Sequence, residues 1–526
     1  MTQEKKLRNF LFVFLFATVA IYLFGLDGAF VYDDGDQILN RPKLHNLFKF
    51  HDVLFCGLRQ HRVWQNISFA MNWMISDGKV WSFKLFSLAL HLVNSWILFK
   101  WLKRLFADRP MLPVFTTVLF LIHPLQTQSV TYVMGVISLI QGFFYLISLY
   151  WITEYRLSRM SGLILILVAS LFSKETALLI PFMLFAYDFA VLRKEGEKIE
   201  WKKWGLVFLI PFLFIPIYFV LKDPVSMFVG TTGFGLYPFF IYLVSQLYYQ
   251  IFYFILFFNP TLMSVIHETP VMGNLEIFYA VLGGVIWLLT GLFAVFRFKK
   301  YPRTAFFIFF YFLNYLPTNS VFQMINPFAE YRLYLPNITL FLGFSLALLM
   351  IADWLQRKKV FQSPHWTISS LLMTYFGIFS FLTVYLWRDD VRIYARAAEL
   401  YPDSELIHIN LGVTLVEKKK YNEAFDHLFK SRMNSGWWYG PVQMNALIVA
   451  RKMYDVGDFQ SAWKVLEALE HDPSKDPLPK MFPRLKSTLK EKMIEMKLPL
   501  ETEFKELYRS GQIYSSPVRP KESVDE

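Results

Sequence analysis

The chain has 526 residues, of which 55% are hydrophobic, 19% aromatic and only 18% charged, with a mean hydropathy of +0.36. So little charge excludes a soluble domain of ordinary composition. The net charge of +12 would suggest nucleic-acid binding in a soluble protein, but the basic residues gather beside apolar runs, so orientation in a bilayer accounts for them and no nucleic-acid partner is expected.

The first apolar run follows Lys5, Lys6 and Arg8 and lacks a small-residue cleavage site, so it reads as a membrane anchor. Further runs recur at the length of transmembrane helices, and backbone groups in lipid must be satisfied within their own segment. Spans are predicted near 9–28, 83–103, 112–124, 130–153, 160–173, 176–192, 204–221, 276–297, 303–318, 334–354 and 366–387. The fold class is therefore all-α, a polytopic membrane protein of about eleven crossing helices.

Basic residues test this order loop by loop. Lys100, Lys103, Arg104 and Arg109 follow the second span, and Arg156 and Arg159 the fourth. Arg193, Lys194, Lys198, Lys202 and Lys203 lie between the sixth and seventh spans. Arg297, Lys299, Lys300 and Arg303 join the eighth and ninth, and Arg357, Lys358 and Lys359 follow the tenth. All fall on one side if the N-terminus is cytoplasmic, which leaves 29–82, 222–275, 319–333 and the region from about 389 outside. The aromatic stretch 236–258 would invert every later loop as a full span, so it is expected to lie in the outer interface.

Beyond a membrane domain over 1–388, residues 389–511 read as a helical module. Leu411, Gly412, Tyr421, Ala424 and Phe425 fall where a tetratricopeptide helix pair carries its small and aromatic packing residues, and Ala446, Gly457, Phe459, Ala462 and Leu466 suggest a second unit. The polar end, 512–526, is expected to be disordered. Cys56 is the single cysteine, so no intrachain disulfide can form.

The first outer loop opens with Val31-Tyr32-Asp33-Asp34-Gly35-Asp36. A carboxylate just outside a bilayer can take a proton from an attacking hydroxyl. Alternatively Asp33, Asp34 and Asp36 could ligate a divalent cation through hard oxygen ligands, or form a solvated turn. No other cofactor is expected. Ionisable and polar groups within apolar segments are functional candidates: His91 and Asn94 three apart, His123 with Gln126 and Gln128, and Lys174-Glu175. In 326–336, Glu330 and Arg332 stand at the mouth of the tenth helix, where a guanidinium suits a lipid-linked phosphate. No Gly-rich phosphate loop, zinc-type cluster or nucleophile elbow occurs.

Read together, VYDDGDQILNRP (31–42), WQNISFAMNWMI (64–75), LALHLVNSWILF (88–99), LFLIHPLQTQSVTYV (119–133), LFSKETALLIPFMLFAYD (171–188) and AEYRLYLP (329–336) resemble the transmembrane and tetratricopeptide-repeat-containing O-mannosyltransferases and their bacterial relatives, of the GT-C glycosyltransferase class. The resemblance covers roughly 30–345, six motifs in order. It implies a GT-C fold with the active site on the lumenal or periplasmic side, a polyprenyl- or dolichyl-phosphate sugar as donor and a Ser/Thr or similar hydroxyl as acceptor; the repeat module would offer a groove to a protein acceptor or a partner. Its acidic pair corresponds to Asp33 and Asp34, its basic residue to Arg332 beside Glu330, its His-Pro to His123-Pro124 and its Lys-Glu to Lys174-Glu175. His91, His123 and Gln128 are expected to contact substrate. The chain departs from the pattern at Gln128, where relatives often carry an acid, and at Val136, where they often carry an arginine. The competing readings are transfer to a glycan or lipid, a non-catalytic membrane scaffold, and a flippase. Absent paired cysteines and a short repeat module favour a bacterial inner membrane over the endoplasmic reticulum.

Overall fold

The computed structural model describes residues 2–54, 56, 62–221, 236–268, 273–319, 328–361, 363–435, 440–470 and 482–498, which form helices and turns with no strand among them. The expected disordered end, 512–526, lies outside the described residues. The chain divides into two compact units, Met1–Met263 with Thr269–Asp389, and Ser264–Glu268 with Asp390–Glu526.

The first unit contains α1 (Gln3–Phe24), α2 (Val63–Ser76), α3 (Val80–Leu105), α4 (Met111–Ile122), α5 (Val136–Tyr155), α6 (Met160–Leu171), α7 (Ile180–Tyr187), α8 (Trp201–Leu221), α9 (Leu236–Phe258), α10 (Asn274–Arg297), α11 (Pro302–Tyr315), α12 (Asn337–Arg357) and α13 (Pro364–Leu386). Among the described residues, eight stretches are long and apolar enough to cross a membrane. The chain is a multi-pass helical membrane protein.

Eight is fewer than the eleven expected: 112–124, 160–173, 204–221 and 303–318 are not among them, Phe240–Phe258 is, and three of the four omissions have local causes. The stretches predicted at 112–124, 160–173 and 303–318 are helices of 12, 12 and 14 residues. At 1.5 Å per residue these reach roughly 18–21 Å, short of a hydrocarbon core of about 30 Å. His123 turns extended before Pro124 and closes α4, as a residue preceding proline tends to do. Lys174, also extended, separates α6 from the turn that follows. Conversely Phe240–Phe258, expected in the interface, has the length and hydropathy of a crossing helix.

Ion pairs sort the loops onto two ends of this bundle. At one end Arg104 pairs with Glu154 at 2.7 Å, Arg303 with Asp108 at 3.4 Å, and Arg156 and Arg193 grip buried Asp188 at 2.8 and 3.0 Å. These are the basic loops that charge bias alone had grouped on one side. At the other end Arg388, after α13, pairs with Asp27, after α1, at 2.6 Å. Between the ends, α3 packs on α5 and α4, and α1 on α4 and α13. Buried Trp101 of α3 donates its indole N–H to the Tyr187 hydroxyl at 3.0 Å, giving an otherwise orphaned donor a partner.

The second unit is a run of helices: α14 (Asp390–Leu400), α15 (Glu405–Glu417), α16 (Tyr421–Ser435), α17 (Gly440–Asp455), α18 (Phe459–Glu470) and α19 (Phe482–Glu495). Each packs on the next. A Cβ at Gly412 would meet Leu428 Cγ at 2.7 Å and the Ala424 carbonyl at 3.2 Å, so only glycine lets α15 and α16 approach this closely. The segment Ser264–Glu268 belongs with this unit. His267 Nδ1 lies 2.8 Å from the Tyr401 hydroxyl, and the Ser404 hydroxyl donates to Glu268.

Candidate active site at the acidic-loop end

The acidic loop folds back beneath α1 through Tyr32, whose φ of +57° is the left-handed region that a side chain rarely adopts. Asp34 is 1% exposed. Its Oδ2 accepts the Val31 N–H at 2.9 Å and its Oδ1 accepts the Met134 N–H at 3.1 Å. Burial pushes the carboxyl up to about 7, opposed by those two amides and by the Lys84 ammonium, and reinforced by Asp33. Asp33 is exposed beside it. The side chain of Asp36 lies outside the described residues. Among the described residues no three His, Cys, Asp or Glu side chains converge as metal ligands.

Lys84 was not singled out from sequence. It sits in α3, 3% exposed, and its Nζ donates to the carbonyls of Gly25 and Trp387, each at 3.3 Å. It thus ties the ends of α1 and α13 to the acidic loop. Any Cβ at Gly28 would collide with Nζ and with the Trp387 carbonyl, so this approach needs glycine. The signal was present: a lone lysine within an apolar helix of 26 residues.

Lys174 and Arg332, 158 residues apart in the chain, line one pocket. The break between α6 and α7 delivers Lys174, and a 3-10 turn over Glu330–Leu333 delivers Arg332. Ser138 and Gln141 of α5, Thr176, Asn314 of α11, Tyr334, Leu335 and Pro336 complete the wall. Both cations are more than nine-tenths buried. Glu175 turns instead to Arg62, which meets both its carboxylate oxygens at 3.0 Å. Arg62, like Lys84, escaped the sequence reading, because it stands outside the motif at 64–75. Glu330 is buried two residues before Arg332 in the same turn.

The remaining candidates support this pocket from behind. Gln128 Oε1 accepts the Tyr331 N–H at 2.8 Å, and Gln126 Nε2 donates to the Tyr334 carbonyl at 3.3 Å, so the segment after His123 fixes the turn that carries Arg332. Fully buried His91 donates from Nε2 to the Leu121 carbonyl at 3.2 Å and accepts at Nδ1 from the Tyr334 hydroxyl at 3.0 Å. Asn94 also donates to that hydroxyl, at 3.1 Å. His123 donates to the Phe257 carbonyl at 3.1 Å and accepts the Leu125 N–H at 3.2 Å. Both ring nitrogens of each histidine are therefore engaged within the protein. His91 reaches the pocket through Tyr334, whereas His123 closes the end of α4.

One short segment joins the two centres. Met134 holds Asp34, and Ser138, one helical turn on, lines the pocket with Lys174 and Arg332. Among proteins of known function, a similar sequence is the protein O-mannosyl-transferase TMTC3 of Homo sapiens, 32% identical over 138 residues. The Mus musculus protein of the same name is 32% identical over 151 residues. This chain resembles the protein O-mannosyl-transferases. The matched residues make up 24% and 26% of this chain but 15% and 16% of the human and mouse proteins, so the chain matches about one-sixth of the length of these relatives. No family model and no solved structure matches.

Proposed function

We propose that this chain is a glycosyltransferase that moves a sugar from a polyprenyl- or dolichyl-phosphate carrier to a hydroxyl of a protein, on the non-cytoplasmic face of its membrane. The observation that carries this reading is the pairing of Lys174 with Arg332 in one polar pocket, one helical turn from the amide that docks Asp34. Two buried cations lining one polar pocket suit an anionic leaving group. The resemblance to protein O-mannosyl-transferases supports the reaction class.

In the reaction, Asp33 takes the proton of the acceptor hydroxyl as its oxygen attacks C1 of the sugar. The C1–O bond to phosphate breaks, its electron pair leaves on the phosphate, and Lys174 and Arg332 offset that charge. A single displacement of this kind inverts the anomeric centre. Asp33 is the better base of the two acids because it is exposed to an incoming acceptor, while both oxygens of Asp34 already hold backbone amides. Asp34 positions it. The helix pairs from Asp390 onward form a tetratricopeptide-like module whose surface would meet the protein acceptor.

Labelled sugar transfer from polyprenyl-phosphate donors, in membranes holding wild type or Arg332→Gln at equal abundance, tests this. Transfer to protein by wild type, reduced on the order of a hundredfold or more in the variant, is expected for a lost phosphate contact. Equal transfer by both would remove Arg332 from the site. No transfer from any such donor would overturn the assignment.

A further inference from the structure

The pocket contains two polar atoms that the donor phosphate alone does not explain. Ser138 and Asn314 are 3% and 5% exposed, and the Ser138 hydroxyl and the Asn314 Oδ1 have no hydrogen-bond partner among the described residues. Both residues line the pocket with Lys174 and Arg332. Buried polar atoms without partners are expensive to maintain, so a ligand that satisfies them gains specificity.

The two atoms differ in chemistry. A serine hydroxyl can donate to a phosphate oxygen. Asn314 cannot, as held: its Nδ2 donates to the Phe310 carbonyl at 2.9 Å. Reversing the amide would set oxygen against oxygen there, so Oδ1 faces away from Phe310 and can only accept. An acceptor beside a phosphate needs a hydroxyl from the ligand. Resting on the donor reading above, we infer that Asn314 reads a sugar hydroxyl next to the phosphate, while Ser138 joins Lys174 and Arg332 on the phosphate itself. The ligand is then recognised as a phosphate and a polyol together, and a carrier without its sugar leaves Asn314 unsatisfied. Asn314 is in this sense a specificity-determining residue.

The test is equilibrium binding of two probes to the full chain in lipid nanodiscs: dolichyl phosphate, and the same lipid carrying mannose or glucose. Asn314→Leu is expected to weaken the sugar-bearing lipid on the order of tenfold, the scale of one buried hydrogen bond and its unpaired remainder. It should leave dolichyl phosphate within about twofold. Ser138→Ala should weaken both lipids alike, by about three- to tenfold. Asn314→Ser, smaller and still helical, repeats the test should the leucine variant fold poorly. Equal loss for both lipids in the Asn314 variants, no loss for either, or no wild-type preference for the sugar-bearing lipid would each overturn the inference. Selective binding with no transfer would defeat the enzyme reading alone. Transfer by wild type with unaltered binding in the Asn314 variants would defeat this inference alone.

Discussion

Asp34 Oδ1 accepts the backbone N–H of Met134 at 3.1 Å, across a sequence separation of 100 residues. This bond makes the acidic loop part of the rigid bundle, because Met134 opens the segment that leads directly into α5. In the proposed reaction it divides the labour of the two acids: the buried one fixes the loop and the exposed one would face the acceptor. Asp33→Asn is therefore expected to lower sugar transfer by about a hundred- to ten-thousandfold, the range for loss of a general base. Asp34→Asn should cost less, on the order of tenfold, since an amide keeps one acceptor oxygen for one of the two N–H groups. Turnover with saturating donor, at matched expression, measures both. The reverse order would make Asp34 the base.

The same burial gives transfer a pH dependence. Asp34 is pushed up to about 7, so in the folded protein it is protonated below that pH and charged above it. Protonation turns one of its two acceptor oxygens into a hydroxyl and weakens the hold on Val31 or Met134. Transfer should accordingly fall as pH drops through about 7, and Asp34→Asn should flatten that limb while Glu variants at exposed sites leave it unchanged. Stability runs the other way. A carboxyl whose folded value is raised contributes stability below the ordinary carboxylate range, and loses it as pH rises toward 7. Parallel pH profiles of transfer and of unfolding temperature check the opposed signs. The charged groups around Asp34 are Asp33 and Lys84, and nearby Asp27 and Arg388 neutralise each other.

Four of the basic loops that charge bias grouped together, those holding Arg104, Arg156, Arg193 and Arg303, are joined by ion pairs. Arg156 and Arg193 meeting on Asp188 is the direct counterpart of that reading. Lys174 and Arg332 were also legible as isolated cations in apolar surroundings. Their sharing of one pocket was not, since it depends on α5, α11, the break between α6 and α7 and the turn before α12 converging. Lys84 was missed although a lone lysine in an apolar helix is a signal of the same kind, and Arg62 because it stands outside the motif at 64–75; only the folded chain reveals which carbonyls or carboxylates surround them. The stretches at 112–124 and 160–173 were counted as spans although the extended residues His123 and Lys174 hold their helices to 12 residues each.

Arg62 and Glu175 show what the missed residues contribute. Their side chains are 9% and 25% exposed and meet at 3.0 Å, and Glu175 directly follows Lys174. Removing one partner leaves a largely buried charge, so Arg62→Met is expected to destabilise the fold by about 2–3 kcal/mol, somewhat below the value for a fully buried pair. Donor affinity should fall with it, through Lys174. Arg62→Met combined with Glu175→Met should recover half or more of the lost stability, because neither charge then remains unpaired. Thermal unfolding of detergent-solubilised protein reads the effect. A double variant no better than the single one would mean that Glu175 has another essential partner.

The placement of α9 is decided by its neighbours more than by its hydropathy. Its last turn offers the Phe257 carbonyl to His123 and the Phe258 carbonyl to Tyr375, in the half of α13 that leads to Trp387 and Lys84. The next helix, α10, ends in the loop 297–303, where Arg303 meets Asp108 among the basic loops. Asn274, at its other end, must then start near the acidic loop. Helix α8 leaves the basic end at Trp201, so a crossing by α9 as well would bring Asn274 to the wrong side. With Cys56 replaced by Ser, single cysteines at Phe240 and at Thr261 are expected to react with a membrane-impermeant maleimide from the same, non-cytoplasmic face. A cysteine at Lys299 should react only after the membrane is opened. Labelling of position 261 from the cytoplasmic face alone would make α9 a crossing helix, and would put the paired Arg303 and Asp108 on opposite sides of the membrane, which a 3.4 Å contact forbids.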